Sequence, residues 1–360
     1  MASMAGAAIT RCDFRVAPYS SHMFTPATVG FLFMRLWSVV PASVAILLLG
    51  LCDADAAATP AERASVIVVV GAPGEEEYGR SFSQWAARWE KAAKQGGAES
   101  KVIGLSAGAS AGDRDQLQQQ LAVEPKEGAE LWLVLIGHGT FDGREAKFNL
   151  RSNDFTAAEL SGWLQPFRRP IAVINTASAS APFLQRLAAT NRVVLTSTRS
   201  GSEVNFARFG QYLSESIADL SADLDKDGQT SLLEAFLMAS RQVKEFYDVE
   251  GRLATEHALL DDTGDGMGTP PDWFRGVRAS KSAKDGATLD GFQAHQFHLV
   301  KSDAEQKLSP AIRTRRNELE RAIATLRDTK AKLSEDEYYE KLEVLLLDLS
   351  RLYESAGQKP

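Results

Sequence analysis

The sequence predicts an α/β protein with a mostly parallel sheet and helices on both of its faces. Two observations carry this. Short β-branched or aliphatic runs recur between residues 66 and 196, each reading as a buried strand, and segments of helical periodicity separate them. Val66 to Val70, ending at Gly71, is the first such run, and Ser81 to Lys94 follows with Phe82, Trp85, Ala86 and Trp89 at helical spacing. Val102 to Leu105 reads as a second strand, Asp113 to Leu121 as an amphipathic helix, and Leu131 to Ile136 as a third strand. A helix over Thr156 to Leu164, a strand over Ile171 to Ile174, a helix over Pro182 to Ala188 and a fifth strand over Arg192 to Thr196 complete the alternation. Right-handed crossovers are the default in such a sheet, and ligand sites lie beyond the carboxyl ends of its strands.

Beyond the fifth strand the pattern changes. A helix from about Phe206 to Leu220, an acidic loop and a helix from Leu232 to about Val249 close a domain spanning 66–260. Residues 261–301 read as a loop or linker, rich in Gly, Asp, Pro and Ser over their first thirty or so positions. The segment 302–355 reads as a helical hairpin, with Leu319, Ile323 and Leu326 on one apolar face and Leu342, Leu345, Leu346 and Leu349 on another. Ser334 and Glu337 stand at capping-box spacing between them.

Composition narrows the function classes. With 360 residues, 44% hydrophobic and 24% charged, the chain can bury a large core and is not a disordered polymer. A formal net charge of −7, with no compensating Lys/Arg run, argues against nucleic acid as the partner. At the N-terminus, Met34-Arg35, the apolar stretch Leu36 to Leu51 and the small residues Ala54 to Ala58 have the parts of a secretory signal peptide. Residues 1–58 are therefore expected to be an upstream segment and signal peptide, with translation starting at Met34 and the mature chain secreted or periplasmic without a transmembrane span. Lipid attachment at Cys52 is the lesser alternative, since Leu51 suits it poorly. Cys12 and Cys52 are the two cysteines, so the mature chain would carry neither a disulfide nor a thiol nucleophile.

Two motifs carry chemistry. The first is Asp223-Leu224-Asp225-Lys226-Asp227-Gly228-Gln229-Thr230-Ser231-Leu232-Leu233-Glu234. Carboxylates at loop positions one, three and five, glycine at six and glutamate at twelve are the arrangement of an EF-hand Ca2+ loop. Asp223, Asp225 and Asp227 would converge on a hard cation, Gln229 would offer its backbone carbonyl, Ser231 would ligate directly or through water, and Glu234 would close the site with both oxygens. Thr230 stands where paired EF-hand loops carry an aliphatic residue, so the loop is expected to stand alone. Asp261 to Gly266 repeats the first half of such a loop, but Pro270-Pro271 obstructs a following helix, and an acidic turn is expected there.

The second motif is His138-Gly139, directly after the third strand, with Asn175-Thr176-Ala177-Ser178-Ala179-Ser180-Ala181 directly after the fourth. Adjacent parallel strands would bring His138 and Ser178 to one edge of the sheet. Here the sequence resembles the caspase/legumain clan of cysteine peptidases, a bacterial-type member nearer the legumain branch, over roughly residues 66 to 260. Leu135-Ile136-Gly137-His138-Gly139 resembles the clan's His-Gly strand end, and Ala177-Ser178-Ala179-Ser180-Ala181 its Ala-Cys-x-Ser-Gly segment, with Ser178 at the nucleophile and Ala181 at the glycine. The resemblance implies a caspase-like fold and a peptide or protein ligand in the cleft. It also implies catalytic positions at His138, Gly139 and Ser178.

The departure from the pattern bears on mechanism, because a serine hydroxyl needs a well-placed general base where a thiolate does not. Two readings follow: a peptidase fold with weak or lost catalysis that binds a partner, and an active serine hydrolase using Ser178 and His138 with the Gly139 N–H holding the oxyanion. Asp142 and Asp154 are the nearest acids in chain to a histidine lacking an assigned third member. Arg199 and Glu203, after the fifth strand, could contact charged side chains of a ligand, and the C-terminal helices could hold a protein partner.

Overall fold

The computed structural model describes residues 63–106, 112–284 and 287–357, so the expected signal segment at 1–58 and Cys52 lie outside the described residues. The chain opens with β1 (Ser65–Val70), α1 (Glu76–Gln95), β2 (Glu99–Ile103), α2 (Asp113–Val123) and β3 (Leu131–Ile136). A small antiparallel sheet of β4 (Gly139–Phe141), β5 (Ala146–Phe148) and β6 (Phe155–Thr156) precedes α3 (Ala157–Leu164). Then come β7 (Ile171–Asn175), α4 (Ala181–Leu187), β8 (Arg192–Thr196), α5 (Phe209–Ser216) and α6 (Leu232–Val249). The rest comprises β9 (Leu259–Asp261), the short hairpin β10 (Phe274–Arg275) and β11 (Arg278–Ala279), α7 (Phe292–His295), α8 (Asp303–Gln306), α9 (Pro310–Asp328) and α10 (Glu335–Ser355).

The main sheet runs β2-β1-β3-β7-β8-β9, parallel except for β9, which pairs antiparallel with β8. Its inner strands are continuous apolar runs because both faces are covered. Val66, Val68 and Val70 with Trp132, Val134 and Ile136 pack under Phe82, Trp85 and Trp89 of α1 and the apolar sides of α5 and α6. Ile67 and Val69 with Leu131, Leu133 and Leu135 face the opposite layer of α2, α3 and α4. The period-two alternation of the strands thus builds two cores from one sheet. The edge strand β2 leaves Glu99 and Lys101 exposed, charges that discourage further strand pairing.

Three local expectations are corrected. The helix expected over Phe206 to Leu220 is α5, starting at Phe209 and ending at Ser216. Its start is set by Glu256, whose carboxylate accepts the Arg208 and Phe209 N–H groups at 2.8 and 2.9 Å. Its end gives way to a 3₁₀ turn, Leu220–Ala222, that Asp219 caps through the Ser221 N–H. The Ser334–Glu337 capping box is half formed: Ser334 accepts the Glu337 N–H, while the Glu337 carboxylate takes Lys341 instead. In the C-terminal hairpin, Leu319, Leu326 and Tyr338 are buried, but Leu346 faces solvent at 49% exposure. Among the described residues no helix is long and apolar enough to cross a membrane.

Candidate functional site

The segments carrying Gly139 and Ser178 leave the carboxyl ends of β3 and β7, next to the point between β1 and β3 where the strand order reverses, the usual neighbourhood of a ligand crevice. Leu135 pairs with Asn175, so the segments leaving β3 and β7 run side by side. The Gly139 N–H donates to Ser178 Oγ and the Ser178 hydroxyl donates to the Gly139 carbonyl, each at 3.2 Å. A Cβ on Gly139 would stand 2.4 Å from the Ser178 carbonyl oxygen, so glycine is required by the close approach of the two chains. Ser178 is 2% exposed. Ala179 is left-handed, at φ 50°, a conformation costing a non-glycine residue roughly 1–2 kcal/mol. The turn is held by the Ala179 N–H on the Glu203 carbonyl at 2.8 Å and by the buried Ser180 hydroxyl, which meets Ser197 Oγ at 3.2 Å and Thr198 Oγ1 at 3.1 Å.

His138 is turned elsewhere. Its Nε2 lies 3.2 Å from the Pro73 carbonyl oxygen, and because that oxygen can only accept, Nε2 is the protonated nitrogen. Tyr78, Phe82 and Phe206 enclose the ring at centroid distances of 5.2, 5.3 and 6.2 Å. Burial among them pushes the imidazole below its ordinary value, and the Pro73 bond opposes that in part. Among the described residues, no hydrogen bond joins His138 to Ser178 and no carboxylate is bonded to His138. Asp142 accepts the Arg144 and Glu145 N–H groups of its own turn, and Asp154 the Leu150 N–H. Ser178 and Gly139 are therefore brought together without the histidine.

No family model matches the chain, and no curated protein matches it. Among solved structures it is similar to caspase-1 from Spodoptera frugiperda, at 11% identity and a TM-score of 0.35, over 56% of this chain and 86% of that one. It is likewise similar to the Drosophila initiator caspase Dronc, at 13% identity and a TM-score of 0.36, over 57% of this chain and 82% of that one. Both are likenesses of fold alone.

Next to the Ser178 turn, Glu203 gathers the groups that sequence assigned to ligand contact. Its carboxylate takes the Arg199 N–H at 3.0 Å, the Arg199 guanidinium at 3.4 Å and His257 Nδ1 at 2.6 Å. Arg199 and Glu203 thus satisfy each other, and His257 is a member that chain order alone does not disclose.

The acidic loop is wired by its own backbone. Asp223 accepts the Lys226 N–H at 2.7 Å and the Gly228 N–H at 3.1 Å, with Lys226 and Gly228 at φ 64° and 86°. Carboxylate oxygens of Asp223, Asp225 and Asp227 lie within 4.8 Å of one another. Burial, then the Asp227 carboxylate, raise Asp225 above the usual carboxylate range. Gln229 holds Asp227 through its backbone N–H at 3.0 Å and its side-chain amide at 2.9 Å. Ser231 and Glu234 form a complete capping box at the start of α6, and Glu234 also accepts the Leu224 N–H at 2.7 Å. The Ser231 hydroxyl is thus occupied by Glu234 rather than turned into the loop.

Two histidines from the segment around α7 reach the same place. His295 Nε2 lies 3.0 Å from Asp225 Oδ2, and His298 is buried nearby, held down to about 4 by burial, with Asp227 opposing. Their His-x-x-His spacing is the signal in the sequence that could have pointed to them. The turn Asp261 to Gly266 copies the wiring of the loop's first half. Asp261 accepts the Gly264 and Gly266 N–H groups at 2.9 and 3.0 Å, after which the chain enters a 3₁₀ turn, Pro271–Trp273, in place of an outgoing helix.

Proposed function

We propose that the chain is a caspase/legumain-like peptidase-fold protein in which catalysis is weak or lost, whose cleft holds a peptide or protein segment and whose acidic loop takes Ca2+. The observation that supports this most is the pairing of Ser178 with Gly139 while His138 points at the Pro73 carbonyl. A serine hydroxyl attacks only when a base takes its proton, and the Ser178 hydroxyl instead donates a hydrogen bond to the Gly139 carbonyl, which is no base. The Gly139 N–H, the donor an oxyanion would need, is spent on Ser178 Oγ. The exposed apolar residues Tyr339, Val344, Leu346 and Leu347 on α10 support a protein partner for the hairpin.

Labelling with a fluorophosphonate probe tests the catalytic part. The expected result is no labelling above that of Ser178→Ala and His138→Ala, with or without Ca2+. Labelling of the parent chain that disappears in both variants would make it an active serine hydrolase instead.

The calcium part rests on the donor set, which is all oxygen at loop positions one, three and five, with a glycine that permits the sharp turn. Calorimetric titration of the metal-free protein should show Ca2+ binding that Asp227→Asn and Glu234→Gln each weaken on the order of tenfold or more. Equal affinities in parent and variants would remove calcium from the reading.

A further inference from the structure

We propose that the cavity walled by α1, the segment leading into α5 and the last turn of α6 binds a carboxylate carried on an apolar or aromatic body, with Arg208 as its anchor. The cavity holds about 560 Å³, within the range of sites that take small organic ligands. Tyr78 and Trp85 of α1, Phe206, Phe246 of α6, Arg208 and Arg252 line it. Tyr78 and Phe206 stack at 4.5 Å, and Phe206 lies 5.9 Å from Trp85, so the aromatic wall is continuous. The same Tyr78–Phe206 pair encloses His138, yet neither His138 nor Ser178 lines the cavity. The site adjoins the cleft without sharing its groups.

Arg208 supplies the observation that points to an anion. It stands just before α5 and is half-buried. Its guanidinium lies over Phe246 at 4.1 Å from the ring centroid and over Phe206 at 5.7 Å. Contact with ring faces holds the group in place and uses none of its N–H donors. Among the described residues no hydrogen bond or ion pair takes those donors up. Glu256 is not such a partner, because its oxygens accept the Arg208 and Phe209 N–H groups and the Tyr247 hydroxyl. A guanidinium held flat against aromatic rings with its donors unclaimed is a fork for a carboxylate, which it binds through two parallel hydrogen bonds.

The lining selects the ligand. Arg208 and Arg252 face one acid, Glu77, so the cavity carries a single net positive charge and suits a monoanion over a dianion such as phosphate. The aromatic faces offer the rest of the ligand an apolar surface, and ring-on-ring contact adds to what burial alone contributes. Two sources carry that chemistry: a free organic acid, and the terminal carboxylate of a peptide that ends in an apolar residue. The site needs neither a working Ser178 nor a bound Ca2+.

Ligand-observed NMR on the full chain tests this with phenylpropionate against phenylpropanamide, and with an N-acetylated dipeptide ending in phenylalanine against its C-terminal amide. Both acids should bind saturably, and each amide on the order of tenfold more weakly. Arg208→Met should weaken the acids on the order of tenfold or more and leave the amides unmoved. Arg208→Lys keeps the charge without the fork and should recover only part of the binding. Tighter binding of the peptide acid than of phenylpropionate assigns the site to a chain terminus, and equal binding assigns it to a small organic acid; either supports the proposal. Circular dichroism confirms folding, and if Arg208→Met is unfolded, Arg208→Lys decides. No saturable binding of either acid, equal binding of acid and amide, or unchanged acid affinity in the folded Arg208 variants overturns it. Fluorophosphonate labelling and Ca2+ affinity depend on other residues, so this site can fail while the peptidase-fold reading stands, and the reverse.

Discussion

Replacing Arg169 with methionine is expected to lower the unfolding free energy by about 3–5 kcal/mol, the cost of breaking a buried charged pair from one side. Arg169 is 3% exposed and sits just before β7. Its Nη2 donates to Ser65 Oγ at 3.1 Å and to the Glu130 carbonyl at 2.8 Å, while Nη1 reaches the Pro125 carbonyl at 3.2 Å and Glu124 at 3.4 Å. One guanidinium therefore ties together the start of β1, the approach to β3 and the exit of α2. Methionine retains much of the apolar stem, so packing loss is small. What disappears is the donor for two carbonyls and for a Glu124 side chain that is itself only 9% exposed. Glu124→Gln should cost far less, about 1 kcal/mol, because the pair is long and the backbone oxygens take most of the guanidinium. Urea unfolding of both single variants and the double variant separates these contributions. A loss below about 1 kcal/mol for Arg169→Met would mean that the clamp is dispensable.

The same end of the strands explains why the fold is legible in sequence while the site is less so. Leu131 to Ile136 and Ile171 to Ile174 announce themselves because a strand covered on both faces has no polar positions to confuse with a helix. Once those strands are adjacent and parallel, the segments after them must share an edge, and the neighbourhood of Gly139 and Ser178 follows. The direction of the His138 ring does not follow. It is set by the Pro73 carbonyl and by Tyr78, Phe82 and Phe206, groups from three other stretches of chain whose meeting is a product of packing. β9 escapes notice because three residues are too few to display a period. His295 and His298 lie in a segment whose Gly and Pro content reads as linker, yet Asp262 ties it to the sheet edge by accepting the Gly291 and Ala294 N–H groups at 2.9 and 2.8 Å. Local composition reports the absence of regular structure, not the absence of tertiary anchoring.

That anchor is a pair of carboxyls, and Asp290→Asn is expected to stabilise the protein by up to roughly 5 kcal/mol at pH 8 while leaving it nearly unchanged near pH 4. Asp290 is 6% exposed and accepts the Asp262 and Thr263 N–H groups at 3.0 and 3.3 Å and the Thr269 hydroxyl at 2.5 Å. Burial, then the facing Asp262 carboxylate, push Asp290 up to about 8, and burial raises Asp262 as well. Two buried acids in contact retain a proton between them, with Asp261 adding further negative charge on the same side. The direction of the pH dependence follows from where that proton goes. Below about pH 4 the folded and unfolded chains both hold it, and the pair's contribution is fully present. From there to about pH 8 the unfolded chain releases the proton while the folded chain keeps it. Stability therefore falls as pH rises, by up to about 1.4 kcal/mol per unit for one proton. Above the folded value the slope disappears. Asparagine keeps an oxygen for the two N–H donors and presents an amide N–H to Asp262, so the contact survives without a proton to lose. Unfolding free energies between pH 4 and 8 should slope downward for the parent and flatten for the variant. Parallel curves would mean that the two carboxyls are both ionised in the folded protein, and that something other than a shared proton holds Gly291 and α7 against the sheet edge.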